Sequence, residues 1–305
     1  MWDAAVELAA ALERALASFA ETVAGAELGW LVLGVVLHLA NQVARGRGWC
    51  TLVRTAGRCD LRRRDAIAAW VAGAGAGGLA SARAGDAVRV LLLRRRVDVG
   101  CPVLAGTLVA EGAGELAVGA TLLALGLALG LAPLPGVPDL IWIVPAVLGV
   151  LAIAAVMARI PRLRAVAAGV GCGCAPLREP GAYARGVLPW QLVSRACRLG
   201  ALACFLAAFG LPATPAAVLL VVGAQTGGRI VPFAPASVGA GAAMLAAAFE
   251  PVTGAAQPAG QVAAFFLGTS AVLTVVGTAI SLAICLRTVS WRRLLVTLRR
   301  APAAT

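Results

Sequence analysis

Charge is scarce in this chain of 305 residues, and lysine is absent altogether. Only 13% of the residues are charged and 61% are hydrophobic, whereas a soluble domain carries about 25% charged residues. Mean hydropathy is +0.91. A soluble globular domain is thereby excluded, and several apolar runs reach the ~20 residues needed to cross a bilayer. Short alternating strands are missing too, which excludes a transmembrane β-barrel. The single histidine, His38, lies inside an apolar segment. A zinc site needs about four ligands, so Cys172-Gly-Cys174 has too few partners, and no metal or cofactor is expected. No hydrolytic triad and no nucleotide-binding loop is visible. No stretch is long enough for a second core. Residues 1–305 are therefore expected to form one domain, an all-α polytopic integral membrane protein.

What is present is arginine, which alone supplies the net charge of +12. In a soluble protein that balance would point to nucleic acid. Here the arginines gather between apolar segments, as the positive-inside rule expects, and no nucleic-acid partner is expected. The eight cysteines lie in apolar segments or arginine-rich loops on the reducing, cytoplasmic side and read as inert thiols. His38 reads as a packing or polar-contact residue.

Charge then orders the segments. Residues 1–25 carry Leu12, Leu16, Phe19 and Val23 at helical spacing beside Asp3, Glu7, Glu13 and Glu21, which predicts an acidic amphipathic helix outside the membrane. Residues 27–45 cross inward, and Arg45, Arg47, Arg54, Arg58 and Arg62–Arg64 mark the next loop as cytoplasmic. Residues 66–80 are short and glycine-rich between basic flanks, so 66–96 is read as a re-entrant hairpin that enters and returns. Residues 102–131 run outward, with tilt or a break near Gly112 and Gly114. Residues 139–158 return, 159–182 form a cytoplasmic loop, and 184–209 go out again. Two short apolar arms at 216–250 enclose Gly227, Gly228, Pro232, Pro235 and Gly239, predicting a second hairpin that enters from the opposite face. Residues 261–286 cross inward to a cytoplasmic tail, 287–305. The sum is about five crossings plus two oppositely oriented hairpins in an inverted-repeat-like plan, with the N-terminus outside and the C-terminus inside a cell (plasma or inner) membrane.

The order of these pieces over residues 3–290 resembles the transmembrane-region family of lysylphosphatidylglycerol synthases. The family's Arg-Trp is similar to Arg47-Gly-Trp49. Its Pro-x-Arg-x-Gly-acid-x-x-Arg is similar to Ser81-Ala-Arg83-Ala-Gly85-Asp86-Ala-Val-Arg89, with serine for proline. Its Glu-Arg-x-x-Asp resembles Glu111-Gly-Ala-Gly-Glu115, without the arginine. Its Pro-x-x-Pro-Gly-Gly-x-Gly resembles Pro232-Phe-Ala-Pro235-Ala-Ser237-Val-Gly239, and the glutamate that follows is Ala242. The resemblance implies a flippase-like domain that moves a polar-headed phospholipid or polyprenyl-linked lipid between leaflets. Neither the family's leading transmembrane helix nor its soluble aminoacyltransferase domain is expected here.

The residues themselves allow a site. Gly85 can start a helix, Asp86 suits its first turn, and Arg89 follows one turn later. Arg83 adds a charge beside them. Arg89 is read either as a bidentate grip on a lipid phosphate or as an interfacial side chain snorkelling to headgroups, the latter also fitting Arg94–Arg96. Glu111 and Glu115 share a helix face inside an apolar segment, as do Arg195 and Arg198 with Gln191 beside them. A buried carboxylate–guanidinium cluster follows, either purely neutralising or also holding a lipid phosphate. Arg229, at the tip of the second hairpin, is expected at the other end of the same cavity. A lipid flippase or transporter is the favoured reading. A membrane-embedded lipid-modifying enzyme, with Glu111 or Glu115 as base, and a non-catalytic partner of a lipid synthase are the alternatives. A membrane lipid is the expected substrate, and a second copy of the chain or a lipid synthase the expected protein partner.

Overall fold

The structure, a computed structural model, describes residues 24–128, 161–228 and 234–288. Among these it is all-helical, with ten α-helices and one 3-10 turn. They are α1 (Leu28–Gly57), α2 (Arg63–Leu79), α3 (Ala82–Arg94), α4 (Cys101–Ala128), α5 (Pro161–Gly173), the 3-10 turn (Ala175–Arg178), α6 (Pro180–Gly186), α7 (Leu188–Ala208), α8 (Pro215–Gly228), α9 (Ala234–Thr253) and α10 (Ala259–Thr288). Four of them, α1, α4, α7 and α10, are long and apolar enough to cross a membrane. They coincide with four of the five expected crossings. The fifth, 139–158, lies outside the described residues, as do nearly all of the 1–25 helix and of the 287–305 tail.

Antiparallel α1 and α7 form the central pair. The Glu27 N–H bonds to the Ala208 carbonyl at 2.8 Å, tying the start of one helix to the end of the other. Midway, Ser194 Oγ donates to Asn41 Oδ1 at 2.7 Å, so two buried polar side chains satisfy each other. Helix α1 is longer than the expected crossing and carries its arginines on regular helix as far as Gly57. It stops where Arg58 adopts a left-handed conformation, φ 46°.

Two cores lie along this pair. One joins Phe205, Phe209, Leu245, Phe249, Phe265 and Phe266, from α7, α9 and α10. The other joins Trp49, Leu52, Trp70, Leu93 and Leu104, from α1 to α4. Helix α10 touches both helical pairs: α9 packs on its first half, through Gly241 against Phe266, and α2 on its second. There Gly75 lies so close to the Gly277 carbonyl that no side chain fits between them, and Ser281 Oγ donates to the Ala72 carbonyl at 2.8 Å.

Helices α2 and α3 pack as a helical hairpin over nearly the expected range 66–96. Residues 66–79 all lie within α2, and α3 is the returning arm. The turn is at Ala80–Ser81, where Ser81 Oγ accepts from the Ala84 N–H at 3.3 Å and caps α3. Serine at the family's proline position thus starts the helix by side-chain capping. Gly85 does not start the helix. It sits within the first turns of α3, and a Cβ there would overlap the Gly73 carbonyl, so its role is close approach of the two arms. The 17 and 13 residues of the arms span about 25 and 20 Å at 1.5 Å per residue. Gly78, next to the turn, stands against Thr274 halfway along α10.

Two further expectations are corrected. The loop 159–182 is largely helical, because its glycines let α5 lie against α4: Gly173 meets the Val103 carbonyl and Gly169 meets Pro102. Helix α4 is also unbroken at Gly112 and Gly114. Gly114 instead leaves the space that the Tyr183 hydroxyl and Gln191 occupy, whereas Gly112 faces open space.

Candidate functional site

Trp70 of α2 is the floor of the site. It is fully buried, packs against Trp49 with centroids 5.5 Å apart, and donates from Nε1 to Gln42 at 3.2 Å. Gln42 in turn contacts His38 at 3.3 Å, which gives His38 a polar partner inside its apolar segment. Two guanidiniums stand on the Trp70 indole: Arg45 from α1 at 4.9 Å and Arg89 from α3 at 4.0 Å from the ring centroid. An aromatic face attracts a cation, and more strongly where water is excluded.

Arg45 is the hub. Its Nε and Nη2 each donate to Glu111 at 2.9 Å, a bidentate fork, and Nη2 also pairs with Glu115. Glu115 reaches Arg195 and Arg198 of α7, each at 3.6 Å, while Arg195 also donates to the Glu115 carbonyl at 3.0 Å. Gln191, one turn earlier, donates to the Glu111 carbonyl at 3.2 Å and to the Tyr183 hydroxyl at 2.9 Å. Arg198 donates to Gln225 near the end of α8 at 3.0 Å. A carboxylate in hydrocarbon costs several kcal/mol unless paired, and these acids are paired from three directions.

The two expected helix faces thus meet directly at Glu115, while Glu111 joins through a residue outside them. Glu111 binds Arg45 and not Arg195 or Arg198, and Glu115 meets all three. Sequence reasoning grouped Arg45 with the loop arginines because helix α1 was ended too early. Asn41, Gln42 and Arg45, polar at helical spacing, were the available signal.

Asp86 and Arg89 stand as the spacing predicts, Nη1 to Oδ1 at 2.6 Å. Arg89 Nε is buried and has no hydrogen-bond partner among the described residues. Arg83 does not join this network: at the hairpin's turn it is exposed and makes no ion pair among the described residues, because the turn lies at the opposite end of the hairpin from Arg94. Arg229 and Pro232 lie outside the described residues. Pro235 is the second residue of α9, where its missing N–H leaves no helix bond unmade. Gly239 is exposed within α9, and an added Cβ there meets nothing. Ala242, at the family's glutamate position, is buried in the phenylalanine-rich core. Trp49 donates from Nε1 to Thr107 at 2.9 Å, and Arg47 lies over Trp190 at 4.8 Å. Burial raises the Cys59 and Cys174 thiols, both outside the spans, above their ordinary values, which disfavours the reactive thiolate.

Helices α3 and α4 diverge beside this cluster. Between them is an open cleft of about 600 Å³, lined by Val90, Leu91, Ala105, Leu108 and Val109, with Asp86 as its acid. Leu91 and Val109 are more than half exposed, so its rim is apolar and faces outward.

The family model described as "Lysylphosphatidylglycerol synthase TM region" matches residues 4–281. No curated protein and no solved structure gives a significant match. Buried ion pairs on membrane-length helices and a family match over nine-tenths of the chain agree: this multi-pass helical membrane protein belongs to the lysylphosphatidylglycerol synthase TM region family, which links it to lipid modification or flipping.

Proposed function

We propose that this protein is a lipid flippase or transporter, not an enzyme, and that it moves a phosphate-bearing lipid between leaflets with Arg89 as the principal grip. The observation that carries this is the α3–α4 cleft: apolar walls open outward, with Asp86 on its lining and Arg89 one turn away. Acyl chains suit the walls, and the Arg89 fork suits a phosphate. Asp86 is half exposed, so a phosphate can displace it from Arg89. Arg195 and Arg198, held by Glu115 behind Arg45, are the further phosphate-binding candidates, with Arg229 as the expected contribution of the second hairpin.

In this reading both hairpins are re-entrant. Support comes from arm length and depth: α2 and α3 are shorter than a ~30 Å hydrocarbon core, and the turn reaches only the middle of α10. The partner of α8 at Gln225 is likewise Arg198, midway along α7. The arginine-rich ends lie in the cytoplasm, the N-terminus outside, in a cell membrane. Single cysteines at positions 62 and 95, in a cysteine-free background, should label from the same side of sealed vesicles; labelling from opposite sides refutes the first hairpin.

The transport test uses purified protein in liposomes with a headgroup-labelled phospholipid, scored by leaflet accessibility. Arg89→Ala should slow exchange at least tenfold, and Arg89→Lys nearly as much, because it keeps the charge but loses the fork. Arg95→Ala, on the exposed end of α3, should exchange like the parent protein. Undiminished exchange by a stably folded Arg89→Ala protein defeats this role.

A further inference from the structure

Arg45 and Arg47 stand about 200° apart on α1, so the helix carries a second cationic face, turned away from Trp70. On that face Arg47, Cys50, Thr51 and Arg54, joined by Arg63 of α2 and Trp190 of α7, enclose a cavity of about 60 Å³. A water needs only about 10–15 Å³ on this measure, so there is room for one tetrahedral oxyanion.

The charges around it are unbalanced. Arg47 is held over Trp190 at 4.8 Å, and its Nε is buried without a hydrogen-bond partner among the described residues. Arg47 and Arg63 form no ion pair among the described residues. Arg54 is anchored by its Nε on the Leu61 carbonyl at 2.7 Å, and the carboxylate it pairs with among the described residues, Asp60, is fully exposed and 3.6 Å away. Asp65 lies in the first turn of α2 and pairs with none of the three among the described residues. Helix α2 also begins here without a side-chain cap. Three guanidiniums facing one small space repel each other unless an anion sits between them, and a buried donor left unpaired is costly. The end of α1 and the starts of α2 and α7 meet here, which places the cavity at the level of the helix ends, where lipid phosphates lie.

We infer that this pocket is a second phosphate-binding site, separate from the Arg89 cleft, which takes either the phosphate of an anionic lipid headgroup or a free phosphate ion. It stands whether or not the chain transports lipid. Arg47 and Arg63 grip the oxyanion, and Arg54, oriented by the Leu61 carbonyl, closes the third side.

Calorimetric titration of the whole chain in uncharged detergent tests this, with inorganic phosphate in one arm and dihexanoyl phosphatidylglycerol in the other. Saturable binding is expected in at least one arm: phosphate alone identifies a soluble source, and the lipid alone a headgroup. Arg47→Gln and Arg63→Gln should each weaken it at least tenfold. Arg64→Gln, exposed and not lining the cavity, should leave it unchanged. Arg63 is exposed, so its variant keeps the test valid if Arg47→Gln folds poorly. No binding in either arm, or binding indifferent to both Arg47→Gln and Arg63→Gln, overturns the proposal.

Discussion

Arg45→Ala should destabilise the protein by about 3–5 kcal/mol, the usual effect of removing one partner of a buried ion pair. Two carboxylates lose their main counter-charge at once. Glu111, only 5% exposed, loses both hydrogen bonds of the fork, and Glu115 keeps only the two longer contacts to Arg195 and Arg198. The Trp70 ring loses one of its two cations as well. A double-mutant cycle isolates the cause. Arg45→Ala with Glu111→Ala should cost clearly less than the two changes added, because no charge is then left alone. Denaturant unfolding in detergent measures all four proteins. Strict additivity, or an Arg45→Ala protein as stable as its parent, would show that the fork does not hold the centre together.

Gly75→Leu should be almost as damaging, on the order of 3 kcal/mol, the upper end of overpacking effects. Its first added atom meets the Gly277 carbonyl carbon at 2.6 Å and the Ser281 Cβ at 2.7 Å. Backbone cannot rotate away as a side chain can, so α2 must leave α10 and take the Ser281–Ala72 bond with it. Gly112→Ala on α4 should move the other way, by about 0.5–1 kcal/mol, since it relieves helix entropy and meets no neighbour. Thermal unfolding of both variants checks the pair of signs. A tolerated Gly75→Leu would mean that the first hairpin is not seated on α10.

Much of this fold was legible because lipid imposes simple rules. The four helices long enough to cross a membrane follow hydrophobic length, and the hairpin ranges 66–96 and 216–250 fall close to the observed helix pairs α2–α3 and α8–α9. The pairing of Asp86 with Arg89 is local and follows from helical spacing. Arg45 was hidden because charge marks a membrane surface only on average, and a helix can carry a paired arginine deeper than the charge pattern suggests. Arg83 was misplaced for the related reason that charges at 83 and at 94–96 look like one cluster in the sequence. A returning helix puts them at opposite ends. The sequence suggests Gly85 as a helix start and Gly114 as the place of a tilt or break, whereas their work is to admit a neighbouring backbone and a tyrosine. A single sequence does not separate a glycine that bends a helix from one that lets another helix in.

The electrical state of the centre follows from its ion pairs. Counted as fully ionised, Arg45, Arg89, Arg195 and Arg198 face Asp86, Glu111 and Glu115, which leaves one positive charge in excess. A lipid phosphate of single negative charge seated on Arg89 would bring the assembly to neutrality. A loaded centre would then move through the membrane field without electrical work. The empty centre would carry its surplus charge, worth about 2.3 kcal/mol per 100 mV for a full crossing of the field. In the proposed transport, voltage would therefore bear on the return of the unloaded protein and leave the lipid-carrying step untouched.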